Sequence, residues 1–143
     1  MKLTAYTNYA LRMLMYAALN NNEMSSIGDV SKAYGISANH LKKAAAEMAE
    51  HGYLMPHQGR YGGYVLAKSP QDIVIGDVVR ITEGDMDMVE CFNPETNTCP
   101  LIEVCKLPRL FKKALRAFLE VLDEVTLADI IARPKELKAL LGI

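Results

Sequence analysis

The sequence predicts a mainly α-helical fold, a winged helix-turn-helix with a small β-hairpin wing, a cysteine-bearing loop and a long dimerisation helix. Three observations predict it. Apolar residues recur at three- and four-residue spacing through several separate stretches; a glycine turn leads into a well-capped helix; and two short β-type segments around a glycine-rich turn follow at once.

From Leu3 to Leu19 the residues Tyr6, Tyr9, Ala10, Met13, Leu14, Ala17 and Ala18 keep helical spacing, and Asn20-Asn21-Asn22 ends that helix. Ser25-Ser26 offers a cap for a short helix through about Tyr34, with Ile27, Val30 and Ala33 inward, and Gly35 supplies the turn. Ser37 is a good cap for the next helix, Ala38 to about His51. Its Leu41, Ala44, Ala45, Met48 and Ala49 form a buried stripe, with Gly52 just past the end. Tyr53 to Pro56 and Tyr64 to Ala67 read as strands, joined through Gly59-Arg60-Tyr61-Gly62-Gly63 into a wing. Ser69-Pro70 closes the hairpin, and Ile75 to about Ile81 reads as a short helix with Ile75, Val78 and Val79 on one face. Residues 1–82 are thus expected to form one winged-helix DNA-binding unit.

Residues 83–107 change character. Pro94, Pro100, Asn93, Asn97 and all three cysteines fall in a segment with neither period, an ordered loop built around something other than an apolar core. Helical spacing returns with Leu107, Leu110, Phe111, Ala114, Phe118, Val121, Leu122 and Val125, and Pro108 suits a first turn. That stripe is longer than so small a winged domain can cover, which points to a second copy of the chain. Residues 108–143 are therefore expected to supply a dimerisation helix, a helix fragment at about Thr126 to Ala132, and a short tail through Leu137, Leu140 and Leu141.

At 143 residues with net charge −1, one core or one small core plus a dimer arm is expected. No apolar run reaches the length of a bilayer span, and the start lacks a signal-peptide pattern, so a cytoplasmic location is expected. The charge is unevenly spread. Residues 1–80 hold eight Lys/Arg against six acids, and residues 81–143 hold eight against eleven.

Ser37, Asn39, His40, Lys42 and Lys43 crowd the start of the second helix, where side chains of a recognition helix meet base edges and phosphates in a major groove. Lys42 and Lys43 suit phosphates; Ser37 and Asn39 suit either. Arg60, with Tyr61, Gly62 and Gly63, fits a wing tip reaching into a minor groove or onto a phosphate. So mildly basic a unit binds weakly alone, and a dimer reading two half-sites remedies that. His40, His51 and His57 also suit a plain polar surface.

Cys91, Cys99 and Cys105 have the spacing C-x7-C-x5-C, which is neither a zinc ribbon nor a thioredoxin-type motif. Buried apolar cysteines are the ordinary alternative, but a polar, proline-broken loop fits that poorly. Two or three thiolates, one just before a helix N-terminus, suit a soft metal or an iron-sulfur cluster of the 4Fe-4S or 2Fe-2S kind. With three thiolates, one corner of a cluster is left for another residue, the partner chain or an exogenous ligand.

Leu3-Thr4, Thr7-Asn8-Tyr9-Ala10-Leu11-Arg12, Tyr34-Gly35-Ile36-Ser37, Gly59-Arg60-Tyr61-Gly62-Gly63, Ile75-Gly76-Asp77-Val78-Val79-Arg80 and the three cysteines together resemble the bacterial iron-sulfur winged-helix repressors of the NsrR/RirA/IscR type, the Rrf-two family. The resemblance covers nearly the whole chain. It implies that Cys91, Cys99 and Cys105 ligate the cluster, that the helix after Ser37 reads the operator, that Arg60 to Gly63 form the wing, and that the helix from Pro108 dimerises. Asn8 stands where the family's nitric oxide sensors have an aspartate that reaches the partner's cluster, and an amide is a poorer iron donor. The segment Lys106-Leu107-Pro108-Arg109 lacks the histidine of the cluster-biogenesis subtype. The seven-residue gap after Cys91, Asn8 and the Leu141-Gly142-Ile143 ending are similar to the iron regulators. Ser37-Ala38-Asn39-His40 and Leu127-Ala128-Asp129 are similar to the nitric oxide sensors.

The expected function is a homodimeric repressor sensing nitric oxide through its cluster, with iron sensing as the alternative. Two other classes compete: a small iron-sulfur electron carrier, which has no use for a recognition helix and wing, and a zinc-stabilised winged-helix binding module. No nucleophile elbow, Walker loop or HExxH is present, so no enzyme is expected.

Overall fold

The computed structural model describes residues 2–21 and 23–143. Met1 and Asn22, the last of the asparagines expected to end the first helix, lie outside the described residues. Helix α1 (Ala5–Leu19) starts two residues later than its apolar spacing suggests, because Thr4 is extended and its side chain accepts the Thr7 N–H. α1 is the centre of the molecule. Ala10, Met13, Leu14 and Ala17 have no exposure, and Thr7, Tyr16 and Leu19 are buried as well, so more than one face of the helix is covered.

Helix α2 (Ile27–Tyr34) is capped by Ser26, whose side chain accepts the Asp29 N–H at 3.0 Å, and it ends at Gly35 in the left-handed region (φ 65°). Helix α3 (Ala38–Glu50) buries Leu41, Ala44, Ala45 and Met48. The expected cap residue is in place, with its bonds made by the backbone. Ser37 occupies the N-cap position but makes no side-chain cap bond; its backbone carbonyl takes the His40 and Leu41 N–H groups and its side chain stays exposed.

Strands β1 (Leu54–His57) and β2 (Gly63–Leu66) pair antiparallel with Leu54 opposite Leu66 and His57 opposite Gly63. β1 begins and ends one residue later than expected, and β2 one residue earlier. A third segment explains the shift in β2: Ser25 and Tyr64 exchange both backbone hydrogen bonds, at 2.9 and 3.0 Å, which draws Gly63 into the ladder. A Cβ at Gly63 would lie 2.6 Å from the Ser25 carbonyl oxygen, and one at Gly62 2.5 Å from that of His57. Only glycine permits these approaches.

Helix α4 (Ile75–Glu83) runs two residues past its expected end, and α5 (Leu107–Asp123) has Pro108 in its first turn. α6 (Leu127–Ile130) opens with a capping box between Thr126 and Asp129. α7 (Pro134–Leu141) is a helix where only a tail was expected; Pro134 in its first turn and Gly142 at φ 73° are the signals that mark it. The chain after α5 returns to the core, where Leu127 is fully buried among residues that include Ile73 and Val78.

α5 differs from every other long element, because none of its residues is fully buried. Leu107, Leu110, Ala114, Ala117 and Val121 are all exposed and follow a strict three-four spacing. Among the described residues no helix is long and apolar enough to cross a membrane.

Candidate nucleic-acid interface and cysteine loop

The start of α3 is a polar, cationic surface held from beneath. Ser37, Asn39, His40, Lys42 and Lys43 are all exposed, while Leu41 between them is fully buried. Two tyrosines of α1 fix this turn. The Tyr9 ring stacks on His40 with centroids 5.6 Å apart, and the Tyr6 hydroxyl donates to the Lys43 carbonyl at 3.3 Å. Burial, then the neighbouring Glu47 carboxylate, pushes the Tyr6 phenol up to about 12, so it stays a neutral donor. In the wing, Arg60 and Tyr61 project from the turn, Tyr61 83% exposed, with the guanidinium 5.8 Å from the Tyr61 ring centre. Gly62 and Gly63 are half-buried and shape the turn through their close backbone approaches. His51 and His57 are exposed.

Cys91, Cys99 and Cys105 are free thiols, each half-buried. Local hydrogen bonds shape the loop around them. The Glu90 carboxylate accepts both the backbone N–H and the hydroxyl of Thr98 at 2.7 Å, tying the turn before Cys91 to the residue before Cys99. Those bonds hold the Glu90 carboxyl below the usual range. The Cys99 N–H donates to Asn97 Oδ1 at 3.1 Å, and the Cys105 N–H to the Leu101 carbonyl at 2.8 Å. Among the described residues no three His, Cys, Asp or Glu side chains converge to hold a metal ion. The donor set nevertheless fits an iron-sulfur group: three soft thiols, none consumed by a disulfide, on one polar loop ending at a helix N-terminus.

Asn8 is exposed on the first turn of α1. Beside it, Thr4 and Thr7 both donate to the Glu83 carboxylate, fastening the start of α1 to the end of α4, where the loop departs. Burial pushes the Glu83 carboxyl up, but the bonds from Thr7 and Thr4 outweigh it and leave the group below its ordinary value. A cleft of about 460 Å³ opens here, lined by Leu3, Met86, Met88, Phe111, Leu115 and Phe118 among others.

A further feature, unread in the sequence, joins α4 to α5. Arg80 donates from Nη1 and Nη2 to the two carboxylate oxygens of Asp123 at 2.6 and 2.7 Å, with Asp77 3.5 Å away. Backbone bonds from Ile75 N–H to the Val125 carbonyl (2.9 Å) and from Leu127 N–H to the Ile73 carbonyl (2.8 Å) lie alongside. The hydrogen bonds from Arg80 hold the Asp123 carboxyl below its usual range. Partners 43 positions apart leave no local pattern; a glycine at position 76, on the same helix, is the one hint.

Comparison with known proteins bears on the whole chain. Residues 3–133 match the Rrf2 family, described as an iron-dependent transcriptional regulator. The chain is 47% identical over 144 residues to the HTH-type transcriptional regulator NsrR of Halalkalibacterium halodurans, covering 100% of this chain and 99% of that one. It is 47% identical over 143 residues to the regulator of the same name from Bacillus licheniformis, covering 99% and 100%. Among solved structures it is similar to CymR, titled the global cysteine regulator of B. subtilis, with TM-score 0.75 and 25% identity over 92% of this chain and 97% of that one.

Proposed function

We propose, from the premise that this chain belongs to the Rrf2 family of transcriptional regulators, that it is a homodimeric, cytoplasmic DNA-binding repressor responding to nitric oxide through an iron-sulfur cluster held by Cys91, Cys99 and Cys105. The protein is a transcriptional regulator and not an enzyme. The observation that carries the finer reading is the position of the thiols. They sit on the segment that runs from the last helix of the winged unit to the exposed helix α5, in series between a DNA-reading surface and an unpartnered seam.

On the reading side, Lys42 and Lys43 meet phosphates, Ser37, Asn39 and His40 meet base edges, and Arg60 with Tyr61 enters the adjacent groove, Gly62 and Gly63 keeping the wing thin. Because the Ser37 hydroxyl is not spent on a cap, it is available to DNA. On the seam side, two copies of α5 pack antiparallel, Leu110 of one against Val121 of the other and Ala114 against Ala117. The small residues let the helices approach closely, and the flanking Lys113 and Glu120 then meet with opposite charge.

When bound, the cluster supplies iron that nitric oxide, oxidants or a chelator can attack. The chain's own part is to hold three thiolates, to gather the turns of Cys91 and Cys99 through the Glu90 to Thr98 bonds, and to connect the loop to both α4 and α5. A hundredfold loss of operator affinity requires only about 2.7 kcal/mol of coupling, well within the allosteric range.

Iron sensing by the same loop is the second reading, favoured by the amide of Asn8 where a carboxylate would serve iron better. Anaerobic spectroscopy of the isolated protein, with DNA binding followed during separate titrations of nitric oxide and an iron chelator, decides between them. Visible absorbance bleached by stoichiometric nitric oxide with release of DNA supports the first reading. Release by chelator alone supports the second, and a colourless, zinc-loaded protein refutes both.

A further inference from the structure

We infer that Arg80, Asp123 and Gly76 form the joint that fixes the direction of α5 relative to the reading head, and so decide which spacing between operator half-sites the dimer accepts. The inference rests on the homodimer reading above. The geometry of the joint stands apart from that reading. α5 has no fully buried residue; its half-buried face, including Phe111, Leu115, Phe118 and Leu122, packs chiefly on α4, so how it is seated there sets its direction. Its C-terminal end is pinned by the backbone bonds between Ile75 and Val125 and between Leu127 and Ile73. A rod pinned at one end still swings.

At that same end, two residues before Val125, Arg80 makes a two-pronged contact on Asp123, the last residue of α5, at 2.6 and 2.7 Å, which adds an orienting grip to the backbone pin. A planar fork on two oxygens resists rotation in a way that a single ammonium cannot. Asp77, one turn back along α4, faces the same guanidinium and steadies its rotamer. Gly76 is buried, and a Cβ there would collide with Asp123 Oδ1 and come within 3.0 Å of Arg80 Nη1. The missing side chain is therefore the seat in which the carboxylate rests. Both charged side chains are 40% exposed, so the pair adds little to stability; what it fixes is an angle.

That angle matters because α5 is a long lever. Seventeen residues span about 25 Å at 1.5 Å each, so a swing of about 10° moves the far end by about 4 Å. One base pair rises about 3.4 Å. A loosened joint therefore lets the two heads drift by a full base-pair step.

The test uses the full-length protein purified anaerobically. A palindromic duplex is recovered by the wild type from a randomised library, then remade with one base pair inserted or removed between its halves. The wild type is expected to prefer the native spacing by about thirtyfold, an energy of the order of one mismatched position. Arg80→Gln, Asp123→Asn and Gly76→Ala are each expected to reduce that preference to about threefold, while affinity for a single half-site, dimer mass and helix content stay unchanged. Gly76→Ala keeps both charges, so a preference lost in the charge variants but kept in Gly76→Ala overturns the joint. If Gly76→Ala does not fold, Arg80→Lys takes its place, keeping the charge but losing the fork. A dimeric wild type that discriminates spacing no better than its variants overturns the joint alone. A monomeric wild type, or a selected duplex without repeated halves, overturns the homodimer reading together with it.

Discussion

α1 and α5 are the two longest helices, fifteen and seventeen residues, and they meet their surroundings in opposite ways. α1 touches α3, α4, β2, α6 and α7 and buries seven residues. α5 packs chiefly on α4 and buries none, although its apolar stripe is at least as long. Apolar residues left exposed along one helix face are the kind of patch that marks an interaction site, and the dimer proposed above would use this one. α1 accounts for the core of a single copy; the exposed stripe of α5 is the face that the proposed dimer would cover.

The widest gap between the two regions is in folding energy. Leu14→Ala, in the fully buried face of α1, is expected to cost about 2–5 kcal/mol in chemical denaturation. A cost below about 1 kcal/mol there would break the comparison at its stronger end. On α5, Leu110→Asp is expected to leave helix content intact and convert the proposed dimer to a monomer at micromolar concentration, read by light scattering. The cysteine loop sits outside the core, so replacing Cys91, Cys99 and Cys105 together by serine should leave unfolding of the reading head near wild type. The same variant should lower operator affinity about a hundredfold and abolish its response to nitric oxide. A smaller effect tests the proposed phosphate contact: Lys43→Ala should weaken binding to all sequences alike and reduce the salt slope by about one. The smallest concerns Glu83. Its carboxyl titrates below its ordinary value in the folded chain, so its contribution is present above about pH 4.5 and lost as the pH falls through the lowered value. Glu83→Gln should flatten that part of the acid unfolding curve.

Much of the reading head was legible because its signals are local. Ser26 caps α2, Gly35 takes the left-handed turn, and Leu41, Ala44, Ala45 and Met48 face inward as their spacing requires. What was not legible depends on partners distant in sequence. Ser37 has the chemistry of a cap, yet the first turn of α3 satisfies itself through backbone bonds. The third segment beside the wing, the Thr4 and Thr7 bonds to Glu83, and the Arg80 to Asp123 pair each join residues too far apart for any periodicity to register. At the cysteine loop the residue types announce soft-ligand chemistry, while the carboxylate that ties Cys91's turn to Cys99's neighbour shows only in three dimensions.

The burial of Leu127 sets an order of events during synthesis. The head's apolar interior is complete only when a residue beyond both the thiol loop and α5 arrives beside Ile73. A nascent chain therefore cannot finish this core before the cysteine loop and α5 have been made, since the chain emerges in sequence. A chain ending before position 127 is expected to lack that leucine and to leave a void of its size in the core. The fold thus makes completion of the core depend on a residue that follows both the cysteine loop and α5.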